Sequence, residues 1–586
     1  MRQGLRRAIL GLGVALLGAC QPALPRAPSA SPSGARSASP RGVAILLEHV
    51  SARDAWQVVV TLPRALPRAH FLRGRYPNRI AKWRVTTPGL AIVREGEEDV
   101  VRAADGHPFT TFTLDIATYA DHPEKDYQVF VPYSDGSVLV YTGQLDVGAS
   151  DDEKEDDTAP RTTFTFVPRE GERVVVAGTV APGARAWTTG PEGTYVYFGR
   201  TEPVVGEGFV GVVDGAMPAW LRAPIESLLP PVFRLYASRT GLPLTFRPMV
   251  FLSYRAEDAS FRGYAVDGGT LPGLIQLEVR LDPEHQRADD ERVREEVGRV
   301  VAHEVAHLWN GQMFHHETHA ADWMHEGGAD AFAYEALRVL GRIRPEHLRE
   351  AEADAFSSCL LGTRLGPVRG ADVPGRFKLF YWCGHLVTHL TNDPLGFWGR
   401  LFREAPGGVY GEEQLFAQMR GVTNGAAAEN AARLVLTGSG DPVAAVLAAD
   451  PRLGLTPKER PLSAAYQQLA GLVVATLVLR PVCGRDVAPR AEAGGLRIDG
   501  DCAGLDPPRA VAPSRGDAPP RILAQLAGHD LRGGGAVAYD AAVATCASQP
   551  TLVAGMRDAA SATSPIRSIT LPCPRPFTAR PPHVTP

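Results

Sequence analysis

The chain carries no excess charge of either sign: 61 Lys and Arg stand against 65 Asp and Glu, interspersed along 586 residues. That balance argues against a nucleic-acid surface and a polybasic patch for anionic membranes. Beyond the N-terminus no run of eighteen uninterrupted apolar residues occurs, so no further membrane span is expected and the rest should be soluble. Cysteine is sparse, seven in all, and none of the spacings is that of a zinc knuckle. Gly533-Gly534-Gly535 lacks the Lys-Ser/Thr of a phosphate loop and reads as a connection.

What is present begins at residue 1. Arg2, Arg6 and Arg7 precede an apolar run from Ala8 to Leu17, too short to cross a bilayer and of the length of a signal-peptide core. The run ends in Leu17-Gly18-Ala19-Cys20, which resembles the bacterial lipobox. That resemblance implies an exported lipoprotein lipidated at Cys20, and Gln21 implies the outer membrane, facing periplasm or surface; the alternative is an ordinary signal peptide. Membrane contact is expected through this anchor only. Residues 21–42, rich in Pro and Ser and without a hydrophobic period, read as a flexible tether. The six later cysteines are compatible with three disulfides in an oxidising compartment. Their order suggests Cys359 with Cys383, Cys483 with Cys502 and Cys546 with Cys573. Six cysteines allow fifteen pairings, however, and free core thiols are the alternative.

The expected architecture is multidomain. Residues 43–212 read as an all-β domain, with runs at Trp56 to Leu62, Tyr127 to Val131, Val138 to Tyr141, Thr162 to Val167, Arg173 to Ala177 and Tyr195 to Phe198. Ser134-Asp135-Gly136 marks a hairpin, and Asp151 to Asp157 a solvated acidic loop. Residues 213–400 read as an α+β catalytic domain: a helix from Leu221 to Tyr236 broken or kinked at Pro230-Pro231, strands at Met249 to Tyr254 and Leu274 to Val279, then helices. One strand of this domain is expected at a sheet edge, able to pair with an extended peptide. Residues 401–455 form a helical extension. Residues 456–586 read as β-rich, with strands at Leu472 to Leu479, Ile522 to Ala527, Leu552 to Ala554 and Ile566 to Leu571 around a helix from Ala536 to Cys546; that order resembles the second half of a PDZ domain.

The chemistry concentrates between Asp289 and Gln312. Val293, Val297, Val300, Val301, Val305 and Leu308 recur at helical spacing after an Asp-rich start, which reads as a capped amphipathic helix. On it His303 and His307 stand four apart, so both imidazoles leave the same face and can hold one metal ion, with Glu304 beside it. In this H-E-x-x-H arrangement the histidines bind zinc and the Glu serves as general base on a zinc-bound water. A third ligand is needed, and Glu326 follows His307 after eighteen residues, enough for a turn and a second helix. Two His and one Glu leave a fourth position open, the sphere of a catalytic zinc. Asp330 stands four residues beyond Glu326, on the same helical face.

HExxH, eighteen residues and Glu in Trp323-Met324-His325-Glu326-Gly327 resemble the gluzincin metallopeptidases, in particular the aminopeptidase N family. His307-Leu308-Trp309-Asn310 resembles the glycyl aminopeptidase family of the same clan, whose members often carry a PDZ domain near the C-terminus. The likeness covers about residues 215–400 and implies a thermolysin-like catalytic domain, one zinc ion, a peptide or protein substrate, and an aminopeptidase. It implies that Asp330 accepts the ring N–H of a zinc histidine, and that Tyr381, at a Y-x-x-G position with Gly384, stabilises the oxyanion. The family strand G-x-M-E-N, whose Glu holds a free amino group, is matched at best by Gly273 to Leu277, with uncharged Gln276 in the Glu position. His315, His316, His319 and His325 are read as loop residues rather than ligands, and His385 and His389 as ordinary helix residues. The competing function is a non-peptidase of the same fold: a binding protein with structural zinc, or a hydrolase of another electrophile.

Overall fold

A computed structural model describes residues 42–586 except 51–54, 75, 77, 121–126, 149–161, 191, 207, 319–320, 372–375, 456–461, 484–488, 493–494, 499–501, 503–504, 506–520, 532 and 559–564. The signal segment, Cys20, the tether, the acidic run and His319 lie outside the described residues.

Strict alternation builds the N-terminal region. Along Ala55–Leu66 the side chains of Trp56, Val58, Val60 and Leu62 are buried on one face, and the strand pairs antiparallel with both Ala44–Val50 and Phe109–Ala117. Six-, four- and five-stranded sheets make up this region. The expected hairpin joins Phe130–Pro132 to Val138–Tyr141, with Gly136 at φ 83° in its turn. The first of these strands starts later than expected, because Tyr127 packs its ring among Tyr141 and Tyr195.

The β region rests on the next sheet through aromatic side chains: Tyr133, Tyr197, Phe251 and Leu271 share one buried cluster, and the rings of Tyr197 and Phe251 stack at 6.4 Å. That sheet runs in the order Val204–Gly206, Phe209–Val213, Met249–Ala256, Leu274–Leu281, Tyr264–Leu271. Its three central strands are parallel and read as nearly continuous buried runs. The boundary expected after residue 212 thus falls inside a strand of this sheet, which reaches back to Val204.

Ala219–Thr240 is one helix and is not broken at Pro230-Pro231. Proline at 231 leaves the carbonyl of Ser227 without its helical N–H, and the Arg342 guanidinium donates to that oxygen at 3.5 Å. Glu291–His307 follows, capped by the Asp290 carboxylate on the backbone N–H groups of Arg292 and Val293. Its apolar stripe packs into one core with Asp322–Val339, Pro345–Gly362, Lys378–His389 and Pro394–Glu404. Leu415, Phe416, Ala432 and Leu436, from the helices of 401–455, belong to the same core, so that segment is part of the helical body rather than an appendage.

The C-terminal part departs most from expectation. Leu472 to Leu479 lies inside a helix, Ala464–Cys483, rather than forming a strand. A continuous apolar run carries no period, and here most of it is buried between Gly535–Ser548 and an antiparallel sheet, with Leu472 and Leu477 only partly covered. By length and composition the helix is apolar enough to cross a bilayer, yet most of its apolar stretch is buried in this core. The remaining expected strands and the helix form, as Arg521–Leu526, Thr551–Asp558, Arg567–Pro572 and Gly535–Ser548. The three disulfides pair Cys359 with Cys383, Cys483 with Cys502 and Cys546 with Cys573. Finally, Val584–Thr585 pairs with Gly454–Leu455, and the N–H and carbonyl of buried Val584 bond the Ser357 hydroxyl at 2.9 and 3.1 Å.

Candidate metal centre

The helix Glu291–His307 turns His303 and His307 to one side, with their Nε2 atoms 3.1 Å apart. Past His307 the chain changes pitch into a six-residue π turn, Leu308–Met313. Such turns recur at functional sites because they swing side chains that an α-helix would send elsewhere. The second helix, Asp322–Val339, brings a Glu326 carboxylate oxygen to 3.4 Å from His303 Nε2 and 3.6 Å from His307 Nε2. Donors about 2.1 Å from one ion at tetrahedral angles stand roughly 3.4 Å apart, so the three fit a single zinc. Glu304 lies alongside, and with His303 and His307 it forms a set whose donor atoms are within 4.8 Å of one another.

Each histidine is held from behind by a different group. Asp330 Oδ1 accepts from His303 Nδ1 at 2.9 Å, which leaves Nε2 facing Glu326. Arg299, one turn before His303, donates to the same Asp330 oxygen at 2.6 Å. Burial opposes the Asp330 charge, but Arg299 and His303 outweigh it and hold the carboxyl down at about 2. His307 Nδ1 instead meets the side-chain oxygen of Asn310 at 3.0 Å. Asn310 is fully buried: its amide donates to the His325 carbonyl at 2.8 Å, and its own carbonyl accepts the Tyr410 hydroxyl at 2.5 Å. The π turn is what carries Asn310 back to His307.

Tyr381 reaches the centre from a third helix, Lys378–His389. Its ring stacks on His303 at 5.6 Å and 15°. Burial first, then the Glu326 and Glu304 carboxylates, push the phenol far above its ordinary range, so it remains a hydrogen-bond donor. Two glycines set this approach. A Cβ on Gly384 would stand 1.9 Å from the Trp323 carbonyl oxygen, and one on Gly327 2.2 Å from the Gly384 Cα. The helices touch backbone to backbone there.

Gly273 and Gln276 stand elsewhere than the sequence reading placed them. Gly273 sits in the turn between two strands at φ 77° and donates its N–H to Gln312 at 2.7 Å. Gln276 is buried one strand in from the edge, flanked by Met249–Ala256 and Tyr264–Leu271, so its strand has no free backbone for a peptide. Tyr264–Leu271 is the edge strand beside the metal-motif helix, and its Thr270 hydroxyl donates to Glu304 Oε2 at 2.7 Å. Two consecutive small-residue positions, Gly268 and Gly269, precede Thr270 on that strand.

Sequence reading missed Arg299 and Thr270, gave Asn310 no role at the centre, and read as a loop residue His325, which stands in the helix Asp322–Val339. Arg299 had a signal, four residues before His303 on the same face; Asn310 stood in the His307-Leu308-Trp309-Asn310 stretch that resembles the glycyl aminopeptidases, but no helical period announces its return to His307. His325 stacks on His307 at 4.0 Å with its Nδ1 3.1 Å from the Asn310 carbonyl oxygen, and burial with the neighbouring His307 lowers it to about 3. With His307 and Glu326 it forms a second set of close donor atoms. His385 and His389 are far from solvated: His389 faces Glu352 at 3.6 Å and Asp450 at 3.5 Å, and His385 stacks on Tyr334 at 4.9 Å.

No protein-family description and no curated protein matches this sequence. Among solved structures, an aminopeptidase N family protein from Idiomarina loihiensis superimposes with a TM-score of 0.55 at 11% identity, covering 91% of this chain and 96% of that one. A mutant M1 zinc metallopeptidase from Deinococcus radiodurans, solved with a Tyr-Ser-Ala substrate, matches 69% of this chain and 96% of its own at 16% identity, with a TM-score of 0.36. Over nine-tenths of its length the chain is therefore folded like an aminopeptidase N family protein, and at this identity the likeness is one of fold alone.

Proposed function

We propose that the protein is a zinc peptidase, with His303, His307 and Glu326 holding the ion. The observation that carries this reading is the triangle of donors at 3.1, 3.4 and 3.6 Å with Glu304 beside it and the Tyr381 ring stacked on His303. Bound there, zinc would polarise the scissile carbonyl and lower the pKa of the attacking water. Glu304 takes the proton from that water and passes it to the leaving amine, with Thr270 fixing its carboxylate through Oε2. Tyr381 donates its hydroxyl to the oxygen that gains charge, and Asp330 and Asn310 keep the histidine tautomers that present Nε2. An extended peptide pairs with the edge strand Tyr264–Leu271, where Gly268 and Gly269 offer bare backbone.

The same proposal places the protein at the outer membrane as a lipoprotein anchored through Cys20. It leaves peptide hydrolysis, rather than strict aminopeptidase action, as the reaction class, since Gln276 is uncharged and lies off the edge strand. Glu304→Gln is the decisive variant: it should bind zinc as the wild type does and lose hydrolysis of a peptide library presented with free and blocked N-termini. Wild-type turnover in that variant would sink the proposal.

A further inference from the structure

A second concavity, of about 790 Å³, opens at the far ends of the helices that carry the metal residues. Arg294, Glu295 and Gly298 line it from Glu291–His307, and Leu337 and Arg338 from Asp322–Val339. Arg294 and His303 are nine residues apart, so the cleft lies roughly 13 Å along the helix from the metal ligands. Its volume is that of a small-molecule site.

The lining joins two chemistries. The floor is apolar: Ile225, Leu228, Leu337 and Leu348 lie buried beneath it, and the partly exposed Pro224 and Ile343 and the exposed Pro345 present apolar surface to the cleft. The rim is cationic, with Arg294, Arg338, Arg342, Arg344 and Arg349 against only Glu291 and Glu295. Both glutamates are occupied. Glu291 pairs with Arg344 at 2.6 Å, and Glu295 accepts the Arg344 N–H at 2.8 Å and His347 Nδ1 at 2.6 Å. Arg338 is clamped by Glu335 and Arg294 by Asp289. Two guanidiniums remain. Arg342 makes only the long bond to the Ser227 carbonyl, and Arg349 has no hydrogen-bond or ion-pair partner among the described residues. A guanidinium fork matches a carboxylate or phosphate in two parallel hydrogen bonds, and a bare anion would leave the apolar floor uncovered.

We propose that this cleft binds an anionic amphiphile, a carboxylate or phosphate carried on an apolar chain or ring, with the anion on Arg342 and Arg349 and the apolar body on the floor. The site is independent of the metal chemistry.

Isothermal titration calorimetry of the full chain, zinc-loaded and zinc-free, tests it with decyl phosphate and decanoate below their micellar range. Expected is saturable one-to-one binding of at least one of them in both metal states, with the tighter of the two naming the anion. Decanol and inorganic phosphate should each bind at least about tenfold more weakly, because each offers only half of the interaction. Arg342→Ala combined with Arg349→Ala, both on the exposed rim, should weaken the amphiphile at least about tenfold by removing the forked contacts. Binding unchanged by the two substitutions, equal affinity for decanol or inorganic phosphate, or no saturable binding of either amphiphile would overturn the proposal. Loss of peptidase activity in Glu304→Gln bears on the metal centre and leaves this result untouched.

Discussion

His303 and His307 look equivalent in the sequence, yet the protein supports them unequally. The first leans on a charged pair, Asp330 with Arg299, and the second on neutral Asn310. Removing either support should weaken zinc, since the partner of a ligating histidine typically accounts for 10- to 100-fold in affinity. Asp330→Asn and Asn310→Ala are therefore expected to raise the zinc dissociation constant by about that factor, read by competition with a chromophoric chelator. Only Asp330→Asn also takes from Arg299 one of its two carboxylate partners, leaving it Glu296, so its melting temperature should fall further; equal losses would argue against the asymmetry. The meeting of His303, His307, Glu304 and Glu326 was legible from the sequence because H-E-x-x-H and the distant Glu report a fixed helical geometry. Asn310 was not, because its position depends on a change of helical pitch that no spacing announces.

Among the elements, Lys378–His389 is the most constrained. Gly384 lets it meet Asp322–Val339 backbone to backbone, the Cys359–Cys383 disulfide ties it to Pro345–Gly362, and His389 lies between Glu352 and Asp450. Gly384→Ala puts a methyl where the Trp323 carbonyl stands and should push Tyr381 off His303, lowering kcat by roughly the 10²- to 10³-fold of a lost oxyanion donor while zinc affinity changes little. The His389 contact brings a pH dependence. Burial opposes its charge, but Asp450 and Glu352 win and raise it from 6.5 to about 9. A raised folded-state value contributes stability that is complete below pH 6.5 and is lost as pH climbs through 9. The stability gap between wild type and His389→Asn should accordingly narrow by about 3 kcal/mol from pH 6 to pH 10 in chemical denaturation. Element types were readable wherever a period existed, as along Ala55–Leu66 or Glu291–His307. They failed at Leu472 to Leu479, where a nearly unbroken apolar run erases the difference between a strand and a helix, and at Pro230-Pro231, where a distant arginine stands in for the missing N–H.

At the scale of the whole molecule, the β region, the helical body and the C-terminal part each hold a buried apolar cluster, with none of His303, His307 or Glu326 among its members. A chelator should leave the far-ultraviolet circular dichroism unchanged and lower the melting temperature, with each tenfold of free zinc above its dissociation constant restoring about 1.4 kcal/mol. Collapse of the spectrum on chelation would show the metal to be structural. The joints between parts were the least legible feature, since the aromatic seam of Tyr197 and Phe251 pairs residues on strands 54 positions apart, and nothing local to either announces the other.

The return of Val584 to Ser357 gives the chain a mechanical property. Tension applied at the C-terminus would bear on the pairing with Gly454–Leu455 and on the helix Pro345–Gly362, there at a residue two positions from Cys359. Through the disulfide it would pass to the helix of Tyr381 while the C-terminal sheet was still intact. Load on the tail is thereby routed towards the phenol above the metal ligands.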